Sequence, residues 1–188
     1  MCIRDRNLSS FTNNRCFKIG PLSRFSKHQK KAIPNKYKFT AVLSGPEPQR
    51  SILESKIVNL FRQLPSECAI IQGKPLSKNH KEHNIDFFAH LNTDKFLDTI
   101  NNSEIILCRS GYSNVMDFSA LGKKVIFIPT PGQTEQEYLA NYHSEVSKVK
   151  SIRQSEISLE KINSNTGTVI QPMCDEGLMN LAFEKAML

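Results

Sequence analysis

With 188 residues, 39% of them hydrophobic and 23% charged, the chain can bury one domain of ordinary size with some left over. Its net charge of +7 is held unevenly: residues 1–38 carry ten Lys or Arg against the single acid Asp5, a balance of +9, while residues 39–188 carry fifteen against seventeen, a balance of −2. The folded part is therefore close to neutral, which weighs against a nucleic-acid module, and the basicity belongs to a leader.

In chain order, Met1 to Asn14 has little pattern and reads as an assembly artefact rather than a native start. Ser26 to Lys36 is polar and basic and reads as a linker, so residues 1–37 are set apart as a leader and 38–188 as the folded domain. Phe39 to Leu43 predicts a strand, which the proline and glycine of Ser44 to Pro48 stop. From Gln49, residues Leu53, Ile57, Leu60, Phe61 and Leu64 trace one helical face ahead of Pro65. Cys68 to Ile71 predicts another strand, Gly73 to Asn84 a charged loop, and Ile85 to Ala89 a strand followed by a helix carrying Phe96, Leu97 and Ile100. His80 and His83 lack a third ligand at zinc spacing and read as surface histidines.

Ile105 to Tyr142 organises the rest. Ile105 to Cys108 is a continuous apolar run of the kind a strand buried on both faces needs, and Arg109-Ser110-Gly111 ends it. Val115, Met116, Ser119 and Ala120 then recur at helical spacing, with Ser113 or Asn114 as cap and Gly122 as a left-handed stop. Val125 to Ile128 is a further strand, Pro129 to Gly132 its turn, and a helix begins near Thr134 with Glu135 and Glu137 in its first turn. Tyr138 and Tyr142, four apart, are expected in the core, with Val146 and Val149 continuing the stripe. Short elements over Ile157 to Ile162 and Thr168 to Ile170 and a last helix with Leu178, Leu181 and Ala182 complete the count.

Alternating strands and helices define an α/β domain, a doubly wound, Rossmann-like parallel sheet. Ligands bind such sheets beyond the carboxyl ends of the strands, so the turns Arg109 to Asn114 and Thr130 to Gln136 should share one edge. The first of them offers backbone N–H groups and hydroxyls at a helix N-terminus, a setting for phosphate; Asp117, on the same helix face as Ser113, suits a ribose diol. Gln136 and Glu137 suit a sugar, or merely cap their helix. Arg109 itself could equally be a structural arginine at a strand end, and Asp117 a partner of Lys123 or Lys124. Tyr112 could pack or cover the nucleotide.

Cys108-Arg109-Ser110-Gly111, Gly122, and the Pro129 turn followed by Gln136-Glu137-Tyr138 resemble the donor-binding half of family 28 glycosyltransferases, over roughly Lys38 to Tyr142. The resemblance implies the C-terminal half of a two-domain GT-B glycosyltransferase. It would bind a UDP-sugar, expected as a UDP-N-acetylhexosamine, and support transfer to an acceptor held by a missing N-terminal domain. Phe17 to Phe25 resembles the exit of that domain. By match to the family motif, Arg109, Ser110, Gly111, Tyr112, Ser113 and Asn114 line the diphosphate and Asp117 stands where the family has a glutamate for the ribose. Gln136 and Glu137 touch the sugar, where the family often has two glutamines. Gly45 and Arg50 belong to a first phosphate turn with one glycine where the family has two or three, and Leu91 holds the base through backbone. No catalytic residue, metal or cofactor is implied here, because the base that activates the acceptor belongs to the other domain.

Five cysteines with no Cys-x-x-Cys pair indicate free thiols in a reducing, cytoplasmic compartment. No secretory segment or eighteen-residue apolar run occurs, while the basic leader suits peripheral contact with anionic lipid or, more ordinarily, solvent. Walker, Gly-x-Gly-x-x-Gly, His-Glu-x-x-His and Gly-x-Ser-x-Gly motifs are absent, which disfavours ATPase, dehydrogenase, metalloprotease and hydrolase readings. Alternatives are a separate donor subunit working with a membrane partner, and a UDP-sugar 2-epimerase-like enzyme; a nucleic-acid module is the weakest reading.

Overall fold

The computed structural model describes residues 23–25, 35–164 and 167–170. The expectations for residues 1–22 and for the helix of Leu178, Leu181 and Ala182 lie outside them, as does most of the linker. The described chain runs β1 (Tyr37–Val42), α1 (Gln49–Phe61), β2 (Cys68–Ile71), β3 (His80–Glu82), β4 (Ile85–Phe88), α2 (Thr93–Asn101) and β5 (Ser103–Cys108). There follow α3 (Tyr112–Leu121), β6 (Lys124–Phe127), α4 (Thr134–Val146), β7 (Lys150–Ser151), a 3₁₀ turn (Gln154–Glu156), α5 (Leu159–Asn163) and β8 (Thr168–Val169).

The eight strands form one sheet in the order β3-β4-β2-β1-β5-β6-β7, with β8 beside the start of β6. Six strands are parallel, while β3 and β8 are antiparallel edge pieces. This is the doubly wound sheet expected. The chain starts in the middle at β1, winds outward through β2 to β4, then returns to β5 on the other side of β1. That reversal opens a crevice between the carboxyl ends of β1 and β5.

Strand residues alternate between two cores, which is why the strands read as unbroken apolar runs. Ile105 and Leu107 of β5 join Leu53, Ile57 and Phe61 of α1 and Ile162 of α5 on one face. Ile106 and Cys108 join Phe96, Leu97 and Ile100 of α2, Val115, Phe118 and Leu121 of α3 and Ala140 of α4 on the other. Gly122 closes α3 at φ 57°, the left-handed conformation its place predicted.

Other expectations need correction. The charged loop contains β3, which has no apolar alternation because it is an exposed edge strand, where charge prevents further pairing. Tyr138 is 44% exposed and stacks on half-buried Tyr142 at the surface, because the face of α4 turned inward is that of Leu139, Ala140 and His143. Helix α4 ends at Val146, which is exposed, and Val149 reaches the core from the chain beyond it.

His143 is fully buried, with its ring against Phe127, and neither ring nitrogen has a hydrogen-bond partner. Burial without a partner disfavours the imidazolium and lowers its pKa below the ordinary 6.5. The unfolded chain therefore binds this proton more readily than the folded one, so the stability His143 allows is full above that value and is lost as pH falls below it. His143→Leu should accordingly lose less stability than the wild type on acidification from about pH 7 to about pH 5. Urea unfolding of both proteins at the two pH values checks the difference.

Candidate functional site

Arg109, directly after β5, is 1% exposed. Its Nη1 donates to the carbonyls of Ile128 (3.0 Å) and Pro129 (3.1 Å), and its Nη2 to the carbonyl of Gln49 (3.0 Å) and to Gln154 Oε1 (2.7 Å). One guanidinium thus ties the turn after β6, the first residue of α1 and the 3₁₀ turn to the end of β5. Burial pulls its pKa down to about 10, far enough above neutrality to leave it charged. Both Nη groups of Arg109 are thus engaged by carbonyl oxygens while its Nε is buried without a partner, and in this arrangement it acts as a positioning residue, the strand-end role also open to it.

Gly111 is the N-cap of α3, so neither Ser113 nor Asn114 caps it; Asn114 instead reaches back to donate to the carbonyl of Arg109 (2.9 Å). The turn carried by α4 is fastened to the same place. Ser110 Oγ donates to the carbonyl of Gln136 (2.7 Å), Gln136 Oε1 accepts from the N–H of Thr130 (2.9 Å), and Glu137 Oε1 accepts from the N–H of Gly132 (3.1 Å). The Arg109 and Gln136 turns meet on one edge, while the side chains of Gln136 and Glu137 serve their own loop, the capping role their spacing also allowed.

Across the crevice, Gly45 has φ +104° in the turn after β1, and a Cβ there would lie 3.8 Å from Thr130 Oγ1. That hydroxyl is buried, with no hydrogen-bond partner. Thr130 was not among the expected contacts, since a threonine in a Pro-Thr-Pro turn carries no signal of its own. Arg50 is turned away from the crevice. Only 7% exposed, it donates to Glu47, to Glu54 (2.9 Å) and to the carbonyl of Gln72. Burial works against its charge, but the bonds it donates to Glu47 and Glu54 outweigh that and raise its pKa. Arg50 thus sits in a local ion-pair network with Glu47 and Glu54.

Asp117, one turn into α3, is 16% exposed. Its partners are neither Lys123 nor Lys124. Ser23 Oγ donates to its Oδ1 (2.8 Å), and Arg24 Nε stands 3.4 Å from its Oδ2. Leu91 lies half-buried against the α2–α3 core, in the loop between β4 and α2. Tyr112 is half-buried as the first residue of α3, next to exposed Ser113.

Four helices begin at the carboxyl edge, and their starts differ. The carboxylate of Glu47 accepts from the N–H of Ser51 in α1; Asn92 caps α2, which has Asp94 in its first turn; and α4 has Glu135 and Glu137. Helices α1 and α3 both lack a side-chain cap and a first-turn acid, and α3 alone among the four opens on a glycine. By helix polarity that is where an anion is best received. A separate polar groove of about 450 Å³ runs between α1 and the β3–β4 hairpin, past Glu54, Asn59, Arg62 and His80, and none of the expected site residues lines it. Among the described residues, no group of three His, Cys, Asp or Glu could hold a metal ion, and no helix is long and apolar enough to cross a membrane.

A mostly parallel, doubly wound sheet of this order is the α/β architecture of GT-B glycosyltransferase structures. Residues 38–186 match the family model described as glycosyltransferase family 28 C-terminal domain, and the chain belongs to that family. It is similar to the UDP-N-acetylglucosamine--N-acetylmuramyl-(pentapeptide) pyrophosphoryl-undecaprenol N-acetylglucosamine transferase of Pasteurella multocida, with 28% identity over 133 residues covering 65% of this chain and 36% of the relative. The same enzyme of Histophilus somni is 34% identical over 123 residues, covering 59% of this chain and 34% of the relative. The chain thus matches about a third of the length of these relatives.

Among solved structures, MurG of Acinetobacter baumannii aligns at TM-score 0.54 and 15% identity, covering 89% of this chain and 49% of that one. The glycotransferase of kitacinnamycin aligns at 0.59 and 13% identity, over 91% and 44% respectively. The spinosyn rhamnosyltransferase SpnG complexed with thymidine diphosphate aligns at 0.52 and 15% identity, over 89% and 44%. These three likenesses establish the fold.

The clamp on Arg109 can be tested directly. Arg109→Met should cost about 2 to 4 kcal/mol, because several carbonyls lose their donor at once. Arg109→Lys should restore only part of the loss, since a single ammonium cannot bridge acceptors on three elements. Urea titration of the three proteins measures both effects.

Proposed function

We propose that this domain holds the nucleotide-sugar donor of a glycosyl transfer, a UDP-linked N-acetylhexosamine, at the reversal point between β1 and β5. The observation that carries this reading is the uncapped, acid-free start of α3 at that point, with the α4 turn bonded to it through Ser110. Family membership supports the class of ligand, and the printed name of the relatives, N-acetylglucosamine transferases acting with a UDP donor, supports the sugar.

In this reading the diphosphate meets the backbone N–H groups of the first turn of α3, between Gly111 and Asn114, with the Ser113 hydroxyl beside it. Thr130 Oγ1, buried and unpaired under Gly45, is a further donor once the β1 turn is lifted by ligand. Asp117 accepts the ribose hydroxyls, Leu91 flanks the base, and the loop bonds of Gln136 and Glu137 shape the sugar end of the site. Direct displacement at the anomeric carbon expels UDP. The negative charge gathering on the leaving diphosphate is stabilised by dipoles already aimed at it, with no metal required. Arg109 contributes beneath the site by holding the turns in register. The acceptor, and the base that deprotonates it, belong to a domain supplied from outside residues 38–186.

Calorimetry with UDP tests the reading. Asp117→Ala should weaken binding by about 1 to 3 kcal/mol, the worth of hydrogen bonds to a charged acceptor. A chelator should leave the affinity of the wild type unchanged. An affinity indifferent to Asp117, or one abolished by chelation, would remove the proposed roles.

A further inference from the structure

We infer that Ser23 and Arg24 form a latch on the donor site, competing with the ligand's diol for the Asp117 carboxylate. The inference rests on the ribose role of Asp117 proposed above and adds to it a means of control by the chain that precedes the domain.

Each oxygen of the carboxylate is engaged from the same short segment. Ser23 Oγ donates to Oδ1 at 2.8 Å while accepting the N–H of Phe25 at 3.0 Å, so the hydroxyl is held pointing at Asp117. Arg24 Nε faces Oδ2 at 3.4 Å, and its guanidinium lies over the rings of Phe25 and Phe96, 4.6 and 5.2 Å from their centroids. With only 16% of the Asp117 side chain exposed, a diol that takes both oxygens must displace Ser23.

Two parts of the segment differ in what holds them. Phe25 is fully buried in the α2–α3 core and stacks on Phe96 at 5.8 Å, so moving it would expose a large apolar side chain. Arg24 is half-exposed, and the bonds that it and Ser23 make to the carboxylate are replaceable by ribose hydroxyls or by water. Phe25 is therefore the fixed point, and Ser23 and Arg24 are the part that lets go. Occupation of the donor site then frees the two residues that adjoin the preceding chain, and the closed latch lowers the apparent affinity by the fraction of molecules with Asp117 blocked.

The test is UDP binding by calorimetry to the full 188-residue chain, its Ser23→Ala and Asp117→Asn variants, with 2′,3′-dideoxyuridine diphosphate as the probe lacking the diol. Ser23→Ala should bind UDP about three- to tenfold more tightly than wild type, the effect of removing one competing hydrogen bond. Its affinity for the dideoxy probe should not change. Ser23→Ala binding that is equal or weaker, while Asp117→Asn still loses affinity, overturns the latch and leaves the donor reading standing. UDP affinity indifferent to Asp117→Asn overturns both. Hydrogen exchange on the unmutated protein gives a second readout that needs no variant to fold: UDP should speed exchange at the Phe25 amide, which donates to Ser23 Oγ, and leave the Phe96 amide protected. Unchanged or slower exchange at the Phe25 amide overturns the latch.

Discussion

One buried cation holds this domain's working edge together. A parallel sheet brings the ends of its strands side by side but does not fix the turns that leave them, since those turns have few backbone partners of their own. The Arg109 guanidinium supplies the missing bonds, joining the exit of β6, the entry of α1 and the 3₁₀ turn through carbonyl and amide oxygens. Gln154 extends the tie by donating to the Gln49 side chain at 2.8 Å. A planar group with several donors suits this task where a lysine would not. Because its charge is met by dipoles rather than by a carboxylate, the clamp brings no acid to the carboxyl edge of the sheet.

The same economy runs through the turn after β6. Gln136, Glu137 and Ser110 spend their hydrogen bonds on the loop backbone and on one another's segments. The backbone of this edge is therefore set in place by side chains spent on the loops themselves. Such a site depends on rigidity, and the two apolar cores on either side of β5 provide it.

Much of the architecture was legible in the residues. Unbroken runs such as Ile105 to Cys108 announce strands covered on both faces, and Gly122 and the Pro129 turn punctuate the helices between them. The bringing together of the Arg109 and Gln136 turns followed from parallel winding alone. Elements without an apolar signature were not legible: β3 is three polar residues, and β7 is two. The direction of polar side chains was harder still. Arg109 and Arg50 have the charge a phosphate needs, yet Arg109 is drawn inward by Ile128 and Gln154, distant in sequence, and Arg50 is held chiefly by Glu47 and Glu54, three and four positions away. The partners of Asp117 lie 94 and 93 positions away, beyond any local pattern. Periodicity reports which face is apolar, and it is silent on which of two polar neighbours satisfies a third.

The unequal helix starts have a consequence for approach. Asp94 and the pair Glu135 and Glu137 place carboxylates in the first turns of α2 and α4, and Glu47 reaches the N–H of Ser51 in α1, whereas the first turn of α3 carries no acid. Acids placed at some helix starts and not at others make the potential along this face uneven, so it is set by where the chain carries its own carboxylates and not by a surplus of basic side chains.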